Sequence, residues 1–276
     1  SKCLPVSGTL FEQGAADGQA FASPLNRWQA EFSAWPIPEA QATRFNFGDN
    51  GTLAQGANGT GSTSYTADPS ATPERFFEGS GSDIWKSDVK WNWVRNPQGT
   101  AAVFTTALLT EDIVVVGPGS ADLWISSDAV DTDLEVTISE VRPDATETET
   151  YVQSGWLRAS HRALDESSAT ELRPTHTNFE SDAQPLVPGE VTLVRLEMFP
   201  VAHPFRAGSK IRISIDAPGG NRPEWIFRTI SKGEKVTIWH DAEHPSSIVL
   251  SIVPGLDVPP GVAACGSLRG QPCRIN

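Results

Sequence analysis

The chain has 276 residues, including 23 glycines and 21 prolines, and carries a formal net charge of −13 with a pI near 4.8. This length allows one large β domain or two small ones. The acidic balance argues against binding to nucleic acid or to an anionic membrane surface, because both attract lysine and arginine. Apolar runs are strand-sized, as at residues 113–116, and none approaches the ~20 residues of a membrane-spanning helix.

Residues 1–42 have no regular pattern and are predicted to form an extended N-terminal arm, with a short helix within residues 24–35 as an alternative. Phe45 and Phe47 alternate with polar residues and predict a short strand. Residues 50–64 are rich in glycine, serine, threonine and asparagine, which is typical of a long surface loop.

From about residue 101 onward, apolar and polar residues alternate, which places one face of a strand in a core and the other toward water. Roughly eight to ten such strands, separated by glycine and proline turns and without interleaved helices, predict an all-β sandwich or barrel over residues 43–254. The clearest alternating segments are residues 134–138, 194–198, 211–215 and 248–252.

Two of the three cysteines, Cys265 and Cys273, enclose a short segment that contains glycine and proline but no histidine or second cysteine pair. That spacing does not suit a zinc site. We predict a disulfide that pins a C-terminal tail, residues 255–276, and that indicates a secreted protein in an oxidising compartment. Cys3 is then left over, either free or able to pair with another chain.

Five stretches follow one another between residues 121 and 252, and they begin Ala121-Asp-Leu-Trp, Gly155-Trp-Leu-Arg, Leu186-Val-Pro-Gly, Phe205-Arg-Ala-Gly and His244-Pro-Ser-Ser. In sequence and in order they resemble the signature runs of the C-terminal domain of the X-Pro dipeptidyl-peptidase and cocaine esterase (CocE/NonD) serine hydrolase family. This family also includes glutaryl acylases and α-amino acid ester hydrolases.

The resemblance implies a jelly-roll β-sandwich with galactose-binding-like topology. In the family, this domain follows an α/β-hydrolase domain that holds a Ser-Asp-His triad, packs on it and helps to wall the substrate cleft. The chain departs from the full pattern because it has no such catalytic domain. Residues 217–223 also differ from the Phe-Pro-type turn common in the family, so no family role is transferred to that loop.

The chain has no Gly-x-Ser-x-Gly motif, which would hold the nucleophile of an α/β-hydrolase. Ser80 and Ser82 lie in the nearest approximation to it, a segment predicted to be a flexible loop. His240 and His244 lie close to acidic residues and would suit a metal or an acid–base pair, but we favour structural histidines bonded to nearby backbone. We therefore assign no catalytic residue to this chain.

Three acids lie within six residues, at Asp128, Asp131 and Asp133. One interpretation is a structural calcium site, because calcium takes several oxygen ligands in a loop. The strict calcium-loop motif is missing. We therefore favour ion pairs with arginines such as Arg158 or Arg162, and we expect no other cofactor.

An aromatic cluster precedes the clear strands and comprises Phe76, Phe77, Trp85, Trp91 and Trp93. Three interpretations are open: the rings face a substrate cleft, they form a stacking platform for sugar, or they pack in a core. Trp91 and Trp93 alternate about one residue and are expected to share a strand face.

The leading hypothesis is a non-catalytic β-sandwich domain, a fragment or one chain of a split enzyme, from a secreted serine hydrolase of esters or X-Pro peptides. Its expected partner is an α/β-hydrolase domain or chain. The alternatives are a stand-alone carbohydrate-binding module, suggested by nine tryptophans, and a structural assembly protein, suggested by Cys3.

Overall fold

The computed structural model describes residues 7–56, 58–144, 146–219 and 228–275, so Cys3 and most of the 217–223 loop lie outside the described residues. The described part is nearly all β, with fourteen strands and four short 3-10 helices, and no helix in it is long and apolar enough to cross a bilayer. The strands are β1 (Ser7–Phe11), β2 (Trp28–Phe32), β3 (Gln41–Gly48), β4 (Thr52–Ala54), β5 (Ser62–Thr66), β6 (Ala102–Thr105), β7 (Ile113–Ser127), β8 (Asp133–Val141), β9 (Glu149–Arg158), β10 (Thr192–Phe205), β11 (Lys210–Asp216), β12 (Lys235–Trp239), β13 (Ser247–Ile252) and β14 (Cys273–Arg274).

Strand pairing after the first two strands defines two layers. One layer has the order β14-β9-β8-β11-β6, and the other has the order β4-β3-β13-β7-β12-β5, with β10 also paired to β7. A parallel bridge between Thr52 and Thr105 links the two layers into one hydrogen-bonded sheet. The predicted all-β sandwich is therefore confirmed, while its jelly-roll and galactose-binding-like details stay predictions, as do the domain boundaries at residues 42 and 254.

The main core lies between the layers, and it is built from the alternating positions seen in the sequence. Ile211, Ile213 and Ile215 of β11 have no exposed surface, whereas Arg212 and Ser214 lie on the opposite face of the strand. The same alternation buries the apolar residues of β8, β10 and β13. Period-two burial of β-branched and aliphatic side chains thus accounts for the sandwich.

Gly155 of β9 marks a point where β9 and β10 come very close without pairing. A methyl group at this position would lie 2.1 Å from the carbonyl oxygen of Glu197 and 2.7 Å from Leu196 Cδ2. Because neither the backbone nor the buried leucine has room to move, the packing of these two strands requires glycine here.

The predictions for the N-terminal arm and for the loop after it are partly wrong. Residues 24–35 contain no described helix; β1 and β2 instead pair as an antiparallel hairpin, because Trp28, Ala30 and Phe32 alternate with exposed Gln29 and Glu31. The sequence Trp-Gln-Ala-Glu-Phe is therefore a strand pattern rather than a helix pattern.

The expected loop at residues 50–64 contains β4 and the start of β5. Asn50 and Gly51, with φ angles of 56° and 70°, form a tight turn that leads β3 directly into β4. An Asn-Gly pair is the residue pair that such hairpin turns favour. These short strands also explain why the count reaches fourteen rather than the expected eight to ten.

Three segments cover the outer faces of the sandwich. The N-terminal hairpin packs on Val114 and Val116 of β7, whose neighbour Val115 points into the main core. The aromatic segment, defined here as residues 76–93, packs on Tyr151 of β9. The C-terminal tail ends in β14, which pairs with β9. Both faces of β7 are consequently buried, which explains its continuous run of apolar residues.

Candidate functional site

A cleft of about 420 Å³ opens where the hairpin, the aromatic segment and the tail meet β9 and β10, and we call it the outer cleft. Its floor includes the apolar side chains of Ile84, Val152 and Val201, of which the first two are buried, and three glutamines also line the cleft. Trp85 and Arg269 form one wall. The volume falls in the range of small-molecule sites, and the lining combines apolar and polar side chains.

The structure distributes the predicted aromatic residues between a core and the outer cleft. Phe76 and Phe77 are buried in a small cluster with Trp93 and Tyr151, and Trp91 packs against it half-buried. Trp85 differs from the rest, because 44% of its surface is exposed and it lines the outer cleft. Of the four residues predicted to face a cleft or ligand, therefore, Trp85 is the one that the structure places in this opening.

Trp85 owes its position to the tail that packs behind it. The Arg269 guanidinium lies 5.0 Å from the centre of the Trp85 ring system. A methyl group on Gly270 would lie only 2.9 Å from the indole Cζ3, and Gly270 also has a positive φ of 71°. The tail backbone thus supports the ring through a residue that steric contact and backbone conformation both restrict to glycine.

The predicted disulfide between Cys265 and Cys273 is present and closes the tail into a loop. This loop contacts each neighbouring segment. The Arg269 amide donates to the Gln13 carbonyl, the Trp91 indole donates to the Gly266 carbonyl, and the Tyr151 amide donates to the Pro272 carbonyl. The disulfide loop is consequently the piece that joins hairpin, aromatic segment and β9 around the outer cleft.

Glu12 is a lining residue that sequence reasoning missed. It is 8% exposed, with a positive φ of 53°, and its two carboxylate oxygens accept from Arg206 at 2.7 Å and from the Trp28 indole at 3.1 Å, with Arg27 at 3.4 Å. A buried acid balanced by arginines is a stable arrangement when its oxygens are hydrogen-bonded. No motif marks it, because its partners lie far away in the chain.

The three aspartates proposed as calcium ligands have separate hydrogen-bond partners. Asp133 is fully buried and pairs with Arg158 at 2.8 Å, as the ion-pair interpretation expects. Asp131 accepts from the Ser160 amide, and Asp128 accepts from the amide of Lys235. Among the described residues, no three histidine, cysteine, aspartate or glutamate side chains are placed to hold a metal ion.

The histidines do not form a catalytic constellation within the described part of the chain. His240 Nε2 lies 3.1 Å from Thr63 Oγ1, but its Nδ1 is 3.6 Å from Asp49 Oδ1, too far for a hydrogen bond. Burial lowers the pKa of His240, which is 2% exposed and shielded from any substrate. His244 contacts the Asp241 carboxylate rather than backbone.

Of the two serines in the predicted loop, Ser80 has a structural role and Ser82 is exposed. Ser80 caps a short 3-10 helix, Gly81–Trp85, in which its hydroxyl and the Asp83 carboxylate bond each other's backbone amides. No serine hydroxyl is hydrogen-bonded to a histidine among the residues that the structure describes. This part of the chain therefore contains no Ser-His-acid arrangement.

A second polar region, which sequence reasoning also missed, lies between the aromatic segment and the outer face of β11. Burial raises the pKa of Asp216 to about 7, although hydrogen bonding from Asn96 at 2.5 Å and the charge of Arg274 act against the shift. Glu149 accepts from both Arg212 and Arg274 at about 3 Å. A carboxyl group with such a pKa is unusual, and its charge changes near neutral pH.

Comparison with known families identifies the class of domain. Residues 10–249 match the model of the X-Pro dipeptidyl-peptidase C-terminal non-catalytic domain. This match covers most of the chain, and it agrees with the all-β sandwich and with the absence of a catalytic constellation from the described residues. The chain therefore belongs to the X-Pro dipeptidyl-peptidase C-terminal domain family.

Similar proteins are longer hydrolases. Cocaine esterase of Rhodococcus is 26% identical over 266 residues, which cover 87% of this chain and 42% of the esterase. A Mycobacterium bovis protein whose name describes a serine esterase is 28% identical over 205 residues, or 71% of this chain and 31% of that protein. The chain thus spans less than half the length of these relatives.

Solved structures show the same fold. A CocE/NonD family hydrolase from Staphylococcus aureus superposes with a TM-score of 0.61 at 21% identity, over 82% of this chain and 39% of that one. An α-amino acid ester hydrolase gives a TM-score of 0.59 at 19% identity, with the same coverage of both chains. At these identities the likeness concerns the fold alone.

Proposed function

We propose that this chain is the non-catalytic β-sandwich domain of a secreted serine hydrolase that acts on esters or X-Pro peptides. In this role it packs on an α/β-hydrolase domain and walls the active site held there. The observation that carries the proposal is the match of residues 10–249 to a domain defined as non-catalytic, in relatives more than twice as long as the matched part.

The chemistry of the chain supports an accessory role. Four of the five histidines are bonded to carboxylates, a threonine or backbone, and none of the five is hydrogen-bonded to a serine among the described residues, so no serine there is activated as a nucleophile. The disulfide supports secretion, because such bonds persist in oxidising compartments. The sandwich supplies a rigid surface, which is what a neighbouring catalytic domain needs from a wall.

An activity assay tests the accessory role. The purified chain is incubated with p-nitrophenyl butyrate and with an X-Pro p-nitroanilide, and cocaine esterase serves as the positive control for the ester. We expect no turnover above that of a heat-denatured sample. Robust turnover that a serine-directed phosphonate abolishes would show that the chain is itself a catalyst and would overturn the proposal.

The gene tests the partnership. We expect the reading frame that encodes this chain, or one directly beside it, to encode an α/β-hydrolase domain with a Gly-x-Ser-x-Gly elbow. The two parts, expressed together, should elute as one species in gel filtration. A neighbouring frame with no hydrolase, or two parts that elute separately, contradicts the proposal.

A further inference from the structure

The outer cleft contains a cation that no acid neutralises. Arg269 donates one hydrogen bond, from Nη1 to the Ala22 carbonyl at 3.0 Å, and its guanidinium lies against the Trp85 ring. Among the ion pairs of the described residues, none includes Arg269. Its Nε and Nη2 groups thus remain available as donors on the wall of an open cleft.

The acidic residue that lines the same cleft already has hydrogen-bond partners. Glu12 also lines the cleft, but Arg206, Arg27 and the Trp28 indole take up both of its oxygens. Its charge is therefore balanced within its own cluster. In a chain of net charge −13, a solvent-accessible arginine without a carboxylate partner beside a cavity is a position prepared for an external anion.

The rest of the cleft indicates what the uncharged part of that anion is. Leu10, Val201 and Ala202 supply accessible apolar surface on the floor, and Trp85 supplies a half-exposed aromatic wall, while three glutamines also line the cleft. The volume of about 420 Å³ falls in the range of small-molecule sites. Free energy is gained when hydrocarbon is buried against this apolar part of the lining.

We propose that the outer cleft binds a small carboxylic acid with an apolar body, whose carboxylate pairs with Arg269 and whose hydrocarbon chain lies on the floor beside Trp85. The planar guanidinium is preorganised because Trp85 and the Ala22 carbonyl hold it, so little side-chain entropy is lost when a carboxylate binds. This site does not depend on the hydrolase assignment, since it is built entirely from residues of this chain.

Calorimetric titration of the full chain with octanoate tests the proposal. Octanamide serves as the uncharged analogue and acetate as the acid without an apolar body. We expect octanoate to bind at least about tenfold more tightly than octanamide, and acetate to show no saturable binding. Affinity for octanoate should also fall as salt is raised, because part of it is electrostatic.

Variants separate the site from general effects on folding. Arg269→Gln should weaken octanoate binding about tenfold and leave octanamide binding nearly unchanged, whereas Arg269→Lys should retain part of the preference for the acid. The matched control is Arg173→Gln, which removes an exposed arginine on another part of the surface. Circular dichroism of each variant checks that the sandwich is intact.

Three results would overturn the proposal. The first is the absence of octanoate binding at millimolar concentration by the wild-type chain. The second is equal affinity for octanoate and octanamide. The third is unchanged octanoate binding by a folded Arg269→Gln protein, which would place the ligand elsewhere. Binding of a peptide through its C-terminal carboxylate, without any binding of octanoate, would also overturn the proposal.

Discussion

The inner core and the outer cleft of this molecule are built in different ways. Between the layers, aliphatic side chains from long alternating strands interdigitate, and nearly all are fully buried. Around the cleft, irregular segments are held by a disulfide, by Gly270 against Trp85 and by arginines that reach across the chain. The comparison teaches that global stability resides in the first region and the shape of the site in the second.

The largest effect that tests this division is truncation in the inner core. Phe104 has no exposed surface and stacks on Phe47 with ring centres 4.3 Å apart. Phe104→Ala should lower the free energy of unfolding by about 3–5 kcal/mol, because it loses buried contacts and leaves a cavity. Urea unfolding followed by tryptophan fluorescence measures it. A loss below about 1 kcal/mol would contradict the assignment of stability to this region.

Removal of the disulfide should have the next largest effect. Cys265→Ser with Cys273→Ser opens a loop whose ends are eight residues apart, and loop entropy predicts a loss of about 2–3 kcal/mol. Because the loop forms the wall behind Trp85, near-ultraviolet circular dichroism should change in the folded state as well. Cys3→Ser is the control, since Cys3 is not part of this bond. An unchanged near-ultraviolet spectrum would show that other contacts hold the wall.

The two regions also differ in how far the sequence predicts them. Alternation identifies the inner strands, as with Ile211, Ile213 and Ile215, because burial on one face of a strand leaves a period-two signal. The spacing of Cys265 and Cys273 identifies the tail loop. Glu12 and Asp216 leave no such signal, because their environment comes from residues distant in the chain.

The aromatic segment lies between these two cases. Its composition predicts packing, but it cannot show that Phe76 is buried while Trp85 is exposed at the cleft. That difference depends on the tail and on Gly270, almost two hundred residues away in sequence. Trp91 and Trp93 do not form the predicted strand. Trp91 makes a single isolated bridge to Phe77, and the backbone around both tryptophans is irregular.

A single glycine tests whether the outer region is held by close contact. Gly270→Ala should cost about 1–2 kcal/mol through its left-handed backbone alone, and the new methyl group should also push Trp85 out of place. Gly18→Ala is the matched control, because its φ of 72° is almost the same but nothing lies within 4 Å of the added carbon. Urea unfolding measures the first effect, and the change in tryptophan fluorescence, compared with the same substitution in a Trp85→Phe background, measures the second. Equal behaviour of the two variants would show that backbone strain alone matters.

The last predicted effect depends on pH and concerns Asp216, whose pKa burial raises to about 7 from an ordinary value of 3.8. A carboxyl group with a raised pKa in the folded state stabilises the protein fully below its unfolded pKa, and this stability is lost as pH rises through about 7. Asp216→Asn cannot ionise. Relative to wild type it should therefore gain roughly 2–3 kcal/mol in the free energy of unfolding between pH 5 and pH 8, because about two pH units separate pH 5 from this pKa and each is worth about 1.4 kcal/mol.

Urea unfolding of both proteins across that pH range measures the difference, and Asp17→Asn, at an exposed loop position, is the control. We expect the wild-type protein to lose stability as pH rises, because burial against the sheet disfavours the charge of Asp216 more than the amide of Asn96 and the guanidinium of Arg274 favour it. If the two stability curves ran parallel with pH, Asp216 would be ionised throughout. The charged form of Asp216 would then be as stable at this position as it is in water. The outer region would differ from the apolar core in its residue types but not in how strongly it disfavours charge.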